Sequence, residues 1–271
     1  MKKILVFSAD NEVSTKASKM FYKLAIKEGF DIVTDNPDIV ISIGGDGTML
    51  KAIREYKHFE VPFVGINAGN LGFLPNVSHD EVSIIRLLDA LYKEEYLLMS
   101  RPTLKVIAKA KNEKVYEDFA FNEVIVKYDD MKMMVSDIYL DDYKFNKFAG
   151  DGFVVSTPLG STGYAIWAGA SVINAELPVY QLTPINPNNS SINNPLLYPL
   201  VISEEQKLKF IFHDKFSNKT VIGCDGSSFM NSVIDSVEIS VNKEKIKIVE
   251  WNDYNYWQVF KSKILDKRKD I

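Results

Sequence analysis

The chain has 271 residues, 46% apolar and 25% charged, with Lys+Arg 32 against Asp+Glu 36 and a formal net charge of −4. That balance lacks the basic footprint of a phosphate-backbone reader and argues against nucleic acid as a partner. Cys224 alone and three scattered histidines, His58, His79 and His213, argue against a disulfide scaffold or a Cys/His zinc site. No apolar run reaches the ~20 residues of a transmembrane helix, so no membrane contact and a cytoplasmic protein are expected.

At this length about two domains are expected. Ile4-Leu5-Val6-Phe7 is too short for a signal-peptide core and reads as a strand over 3–7. Ala17, Met20, Phe21, Leu24 and Ala25 recur at helical spacing, and Gly29 follows as a stop. A short strand at 31–34 and an apolar strand at 39–43 lead into Gly44-Gly45-Asp46-Gly47-Thr48 and a helix over 49–56. The next strand is 63–66, and Val82, Ile85, Leu88 and Leu91 give helical spacing to 80–92. Alternating strands and helices predict a Rossmann-like parallel α/β domain over 1–100. After Arg101-Pro102 short alternating runs take over at 104–110, 115–120, 124–126, 135–140, 143–148 and 153–156, then at 208–212, 221–224, 237–241 and 246–249. They predict a mostly antiparallel β-rich domain over 101–250, with the Pro/Asn/Ser-rich stretch 184–199 as a loop. Trp257, Phe260 and Ile264 at i, i+3 and i+7 predict a carboxy-terminal helix within 251–271 that packs back on the body.

The strand at 39–43 opens at its carboxyl end onto GGDGT, where open α/β sheets bind ligands and where bare amides at a helix start suit phosphates. Neither G-x-G-x-x-G nor G-x-x-x-x-G-K-[ST] occurs, which weakens hydride-transfer and P-loop readings. A carboxylate inside such a loop faces phosphate charge unless it takes a proton from a hydroxyl or helps hold a cation, so Asp46 is the first catalytic candidate. Its competing role is a cap on the helix beginning near Thr48. Gly65, Gly69 and Gly72 after the next strand suit a nucleotide wall or a plain turn. Phe121-Asn122-Glu123-Val124 sets an amide and a carboxylate side by side, with one of them inside or both solvated at a strand start. Gly150-Asp151-Gly152 and the later Ser156 to Tyr164 stretch offer backbone donors, hydroxyls and one aromatic face for a sugar and base, or else a turn and a loop.

Taken in order, GGDGT, NAGNLGFL, FNEV and GDGF-VVSTPLGSTGYA resemble the NAD kinase family along nearly the whole chain. The resemblance implies an α/β domain and a β-rich NAD-binding domain with the dinucleotide between them. It implies transfer of the γ-phosphoryl group of ATP to the adenosine ribose 2′-hydroxyl of NAD, giving NADP, with Mg2+ or another divalent cation accompanying ATP and no metal-ligating residue assigned in the chain. Carried over position by position, Asp46 becomes the proton acceptor, and Gly47 and Lys51 line the nucleotide site. Asn122 and Glu123 contact the adenosine portion, Asp151 a ribose or amide group, and Thr162, Gly163, Tyr164, Ala165, Ile166 and Trp167 the adenosine again. Asn186 joins them on a looser match, and Asp225-Gly226 looks like a late family Asp-Gly pair. Relatives are commonly homotetramers or homodimers. The chain departs from the family at Ala149, where related bacterial sequences usually have arginine, with Lys147 two residues earlier, and at Ile166, where many have asparagine.

Lipid or sphingoid kinases resemble the chain in GGDGT and a β-rich second half, and phosphofructokinase-type sugar kinases share the loop. FNEV and STPLGSTGY favour the dinucleotide, and no basic sugar-phosphate clamp is found. A non-catalytic NAD(P)-binding sensor is the alternative from another class, and the intact Asp46 argues against it.

Overall fold

The computed structural model describes residues 2–69, 72–189, 195–213, 219–251 and 254–266, and the chain divides into two units, 1–101 with 246–271, and 102–245. The first unit opens as β1 (Lys3–Ser8), α1 (Glu12–Lys27), β2 (Asp31–Ile32), β3 (Ile39–Gly44), α2 (Asp46–Tyr56), β4 (Phe63–Asn67), β5 (Val77–Ser78), α3 (Glu81–Lys93) and β6 (Leu97–Arg101). Asn11 and Asp80 start α1 and α3 by accepting the Ser14 and Ser83 amides. All six residues of β3 are buried, the continuous apolar pattern that a strand covered on both faces requires. In α3 the buried stripe is Ile84, Leu87, Leu88 and Leu91, whereas Val82 and Ile85 are 59% and 42% exposed. The expected stripe is therefore corrected: the i, i+3, i+4, i+7 set that starts at Ile84 fits the sheet.

The second unit contains β7 (Leu104–Ala110), β8 (Val115–Ala120), β9 (Glu123–Tyr128), β10 (Met134–Leu140), β11 (Tyr143–Gly150), β12 (Gly152–Ser156), α4 (Tyr164–Trp167), β13 (Val179–Ile185), β14 (Leu200–Ser203), β15 (Leu208–Phe212), β16 (Thr220–Cys224), β17 (Ser227–Ser232) and β18 (Ile234–Val241). These strands form two six-stranded antiparallel sheets, β11-β10-β15-β18-β7-β8 and β14-β13-β12-β9-β16-β17. One apolar core joins them, and Phe153 of β12 stacks on Phe210 of β15 at 3.6 Å between ring centroids. The stretch expected as a loop begins inside β13, and residues 190–194 of it lie outside the described residues.

The chain then returns to the first unit as β19 (Ile246–Glu250) and α5 (Tyr256–Phe260). The first sheet runs β2-β1-β3-β4-β19-β6, with β5 also on β4, and it is parallel except where β19 meets β6. The 101–250 boundary is corrected at its end, because Ile246–Glu250 pairs with Leu97–Arg101 and places Val249 in the α/β core. The terminal helix is shorter than expected. Tyr256, not Trp257, is its buried anchor, with its ring 5.6 Å from Phe73 and Trp257 49% exposed. A π-helical turn, Lys261–Leu265, follows, and 267–271 lie outside the described residues.

Candidate functional site

In the first unit the glycine-rich turn places a carboxylate at the carboxyl end of β3. Gly45 is the residue before α2 and makes no side-chain cap bond, so Asp46 stands as the first helical residue and is not the cap. Its carboxylate turns to the loop after β4. Oδ1 and Oδ2 accept the Phe73 amide at 2.7 and 2.8 Å, and Oδ1 accepts the Leu74 amide at 2.8 Å. A Cβ added at Gly72 would come 3.4 Å from Asp46 Oδ1 and 2.9 Å from Pro75, so a bare backbone lets the loop close over the carboxylate. Burial raises the Asp46 pKa, while the Leu74 and Phe73 amides and the charge of Lys263 pull it back down. Lys263, on the turn after α5, lines a 380 Å³ cleft together with Gly69, Gly72, Phe73, Ser78 and His79. Sequence reasoning missed Lys263, since nothing local to it marks its position. A Cβ at Gly47 would meet no protein atom, so open space adjoins that position, and Lys51 is exposed one turn further along α2. Asn70 and Leu71 of the NAGNLGFL stretch lie outside the described residues.

In the second unit Asn122 and Glu123 enter β9, and Glu123 is only 7% exposed. The 157–163 turn folds over them. Thr157 donates its amide and its hydroxyl to Asn122 O at 2.9 and 3.3 Å, and Gly160 lies so close that a Cβ would sit 2.0 Å from Asn122 O. A Cβ at Gly163 would sit 2.7 Å from Glu123 Oε2, and the Tyr164 amide bonds the Glu123 carboxylate. Burial, followed by the like charge of Asp225, pushes Glu123 up to about 7 against that amide bond. Asn122 Oδ1 and Glu123 Oε2 are buried without a hydrogen-bond partner among the described residues. Such atoms are costly unless a ligand meets them. Ala165 is buried and Ile166 half-buried, Thr162 donates to Leu159 O, and the rings of Tyr164 and Trp167 are exposed. Gly160 thus lies directly against Asn122, and Gly163 and Tyr164 against Glu123.

Asp151 and Asn186 form a separate pair. Asn186 Nδ2 donates to Asp151 Oδ2 at 2.9 Å. Asp151 precedes the Gly152 end of β12, which pairs with Lys127, whereas Ser156 at the other end pairs with Glu123. At about 3.3 Å per residue the two groups are separated by the length of the strand. Ala149, where the resemblance led to an expected arginine, is buried in β11. Among the described residues, no group of three or more His, Cys, Asp or Glu side chains could hold a metal ion.

The model of the ATP-NAD kinase N-terminal domain matches residues 1–96, and that of the ATP-NAD kinase C-terminal domain matches residues 121–251. An NAD kinase of Finegoldia magna is 34% identical over 97% of this chain and 98% of its own. One from Fusobacterium nucleatum is 31% identical over 97% of each. Among solved structures, yeast NADH kinase complexed with NADH superposes with a TM-score of 0.83 at 16% identity, covering 96% of this chain and 86% of that one. An NAD kinase from Archaeoglobus fulgidus in complex with ATP gives 0.74 at 23% identity, covering 97% and 96%. These two likenesses show the fold. The amide-held carboxylate after β3, the surface around Asn122 and Glu123, two domain models in sequence order and full-length relatives above 30% identity converge: the chain belongs to the NAD kinase family.

Proposed function

We propose that the chain transfers the γ-phosphoryl group of ATP to the adenosine ribose 2′-hydroxyl of NAD, giving NADP, with Asp46 as general base. The observation that carries this reading is the half-buried Asp46 carboxylate, fixed by two backbone amides. Oδ2 accepts the Phe73 amide and keeps a lone pair for a substrate hydroxyl. Burial makes the carboxylate a stronger base, against the opposing pull of the two amides and the Lys263 charge. Gly47 and Lys51 line the phosphate side. Asn122, Glu123 and Thr162 to Trp167 hold the adenosine portion through the unpartnered oxygens and the exposed Tyr164 ring. Asp151 and Asn186 hold a ribose or amide group as a pair. Mg2+ or a similar cation fits this scheme on the triphosphate, where it would neutralise phosphoryl charge.

The same proposal places the protein in the cytoplasm as a homodimer or homotetramer; among the described residues no helix is long and apolar enough to cross a membrane. The test is an assay of the purified chain with ATP, Mg2+ and NAD, coupled to an NADP-specific dehydrogenase. Formation of NADP supports the reading, and phosphorylation of a lipid or sphingoid base with no NADP would replace it.

A further inference from the structure

Cys224 and Ser227 pair across the β16–β17 hairpin, which leaves Asp225-Gly226 as its two-residue turn with φ of +51 and +76. Positive φ at both central residues is what a type I′ turn demands, and Asn-Gly serves it as well as Asp-Gly. The turn alone does not call for a carboxylate. That carboxylate is spent on the neighbouring strand entry: Oδ2 accepts the Phe121 amide at 2.7 Å, and Oδ1 accepts the amides of Asn122 at 2.7 Å and Glu123 at 3.3 Å. The Asp225 amide in turn donates to Glu123 O at 3.1 Å. Three successive amides on one carboxylate fix the peptide planes from which Asn122 and Glu123 project. Each of those two side chains carries a buried oxygen with no hydrogen-bond partner among the described residues, Asn122 Oδ1 and Glu123 Oε2.

We propose that Asp225 is a positioning residue for the acceptor nucleoside: it clamps the Phe121–Asn122–Glu123 backbone so that Asn122 Oδ1 and Glu123 Oε2 meet the adenosine. This rests on the assignment of Asn122 and Glu123 to the adenosine. Around Glu123, Asp225 supplies the like charge, Tyr164 an amide, and Ser156 stands opposite on β12. Lys127, further along β9, lies 6.0 Å from the centre of the Tyr164 ring. Burial and Asp225 together place Glu123 at about 7, where a charge change at Asp225 is felt most.

The experiment is NAD binding to the full chain by calorimetry between about pH 5.5 and 8.5, a range that brackets the Glu123 titration. The proteins are wild type, Asp225→Asn, Glu123→Gln and the double variant. Asp225→Asn keeps the turn and one acceptor oxygen but removes the charge. Wild type is expected to show an inflection in NAD affinity near 7. Asp225→Asn is expected to weaken NAD roughly tenfold and to move the inflection down by about 1 pH unit. Glu123→Gln should abolish the inflection, and adding Asp225→Asn to it should weaken affinity with no further change in pH dependence. Should Asp225→Asn fail to fold, Asp225→Glu keeps the charge on a longer arm and should weaken NAD while leaving the inflection in place. Unchanged affinity and inflection in Asp225→Asn, or in Asp225→Glu unchanged affinity, would overturn the proposal and leave a structural turn. A wild-type chain that binds no NAD at any pH would overturn the functional reading as well.

Discussion

Both oxygens of the Asp46 carboxylate accept the amide of Phe73, at 2.7 and 2.8 Å, and this bond ties the first turn of α2 to the loop after β4. The carboxylate is thereby aimed by backbone amides, so its orientation survives a substitution that keeps an acceptor at Oδ1. Phe73 in turn carries the Tyr256 ring, which anchors α5 on the same loop.

Asp46→Asn retains Oδ1 for the Phe73 and Leu74 amides and should fold with little change in Tm. Turnover should fall by ~10²–10⁴-fold, the usual contribution of a general base. Steady-state kinetics beside thermal melting check this. A near-normal kcat would remove Asp46 from the chemistry.

Lys263→Met should move the acidic limb of the kcat profile to higher pH. The Lys263 charge lowers the Asp46 pKa, so its removal lets burial raise that pKa further, and more alkali is then needed to ionise the base. Lys263→Arg should restore the wild-type limb. A profile unmoved by Lys263→Met would show that the cation does not act on Asp46.

Gly160→Ala should weaken NAD binding and stability together. The added Cβ would lie 2.0 Å from Asn122 O, a backbone atom that cannot swing aside, so the 157–163 turn or the β9 entry must shift. Overpacking of this kind costs about 1–3 kcal/mol. Denaturant melts and NAD titration on the same preparation measure both effects, and unchanged values in both would mean the turn moves freely.

Much of the fold was legible because apolar periodicity is local. The run 39–43, the five spaced residues of α1 and the alternation of β7 each announce themselves within a few residues. β6 was not legible, because an edge strand with Leu97 and Leu98 exposed carries no inward pattern. The place of β19 was not legible either, since nothing in Ile246–Glu250 says that it leaves the β-rich unit to pair with Leu97–Arg101. At the candidate site, GGDGT and FNEV stood out by residue type. NAGNLGFL and Asp225-Gly226 stood out as well, but what they hold did not: that the Phe73 and Leu74 amides and the Lys263 charge act on Asp46, and that Asp225 clamps the entry to β9, are contacts between residues distant in sequence.

Glu250 should make the folded chain less stable as pH rises. It is 5% exposed, bonded by Asn76 Nδ2 at 2.7 Å, and burial pushes it up to about 7 despite that bond and the Arg101 charge. A carboxyl raised in the folded state contributes stability that is complete below its ordinary 4.5 and is lost as pH rises through about 7. The loss is on the order of 3 kcal/mol. Glu250→Gln should make this part of the Tm-against-pH curve less steep, leaving the comparable slope that Glu123 contributes. An identical slope in the variant would place the titration elsewhere.

The account stands most directly on which hydroxyl meets Asp46. NAD lacking only the adenosine 2′-hydroxyl keeps every group assigned to Asn122, Glu123 and Thr162 to Trp167. It should therefore bind as a competitive inhibitor with an affinity near that of NAD and accept no phosphate from ATP. Phosphorylation of this analogue, or a new phosphate on the nicotinamide ribose when NAD itself is the acceptor, would contradict it.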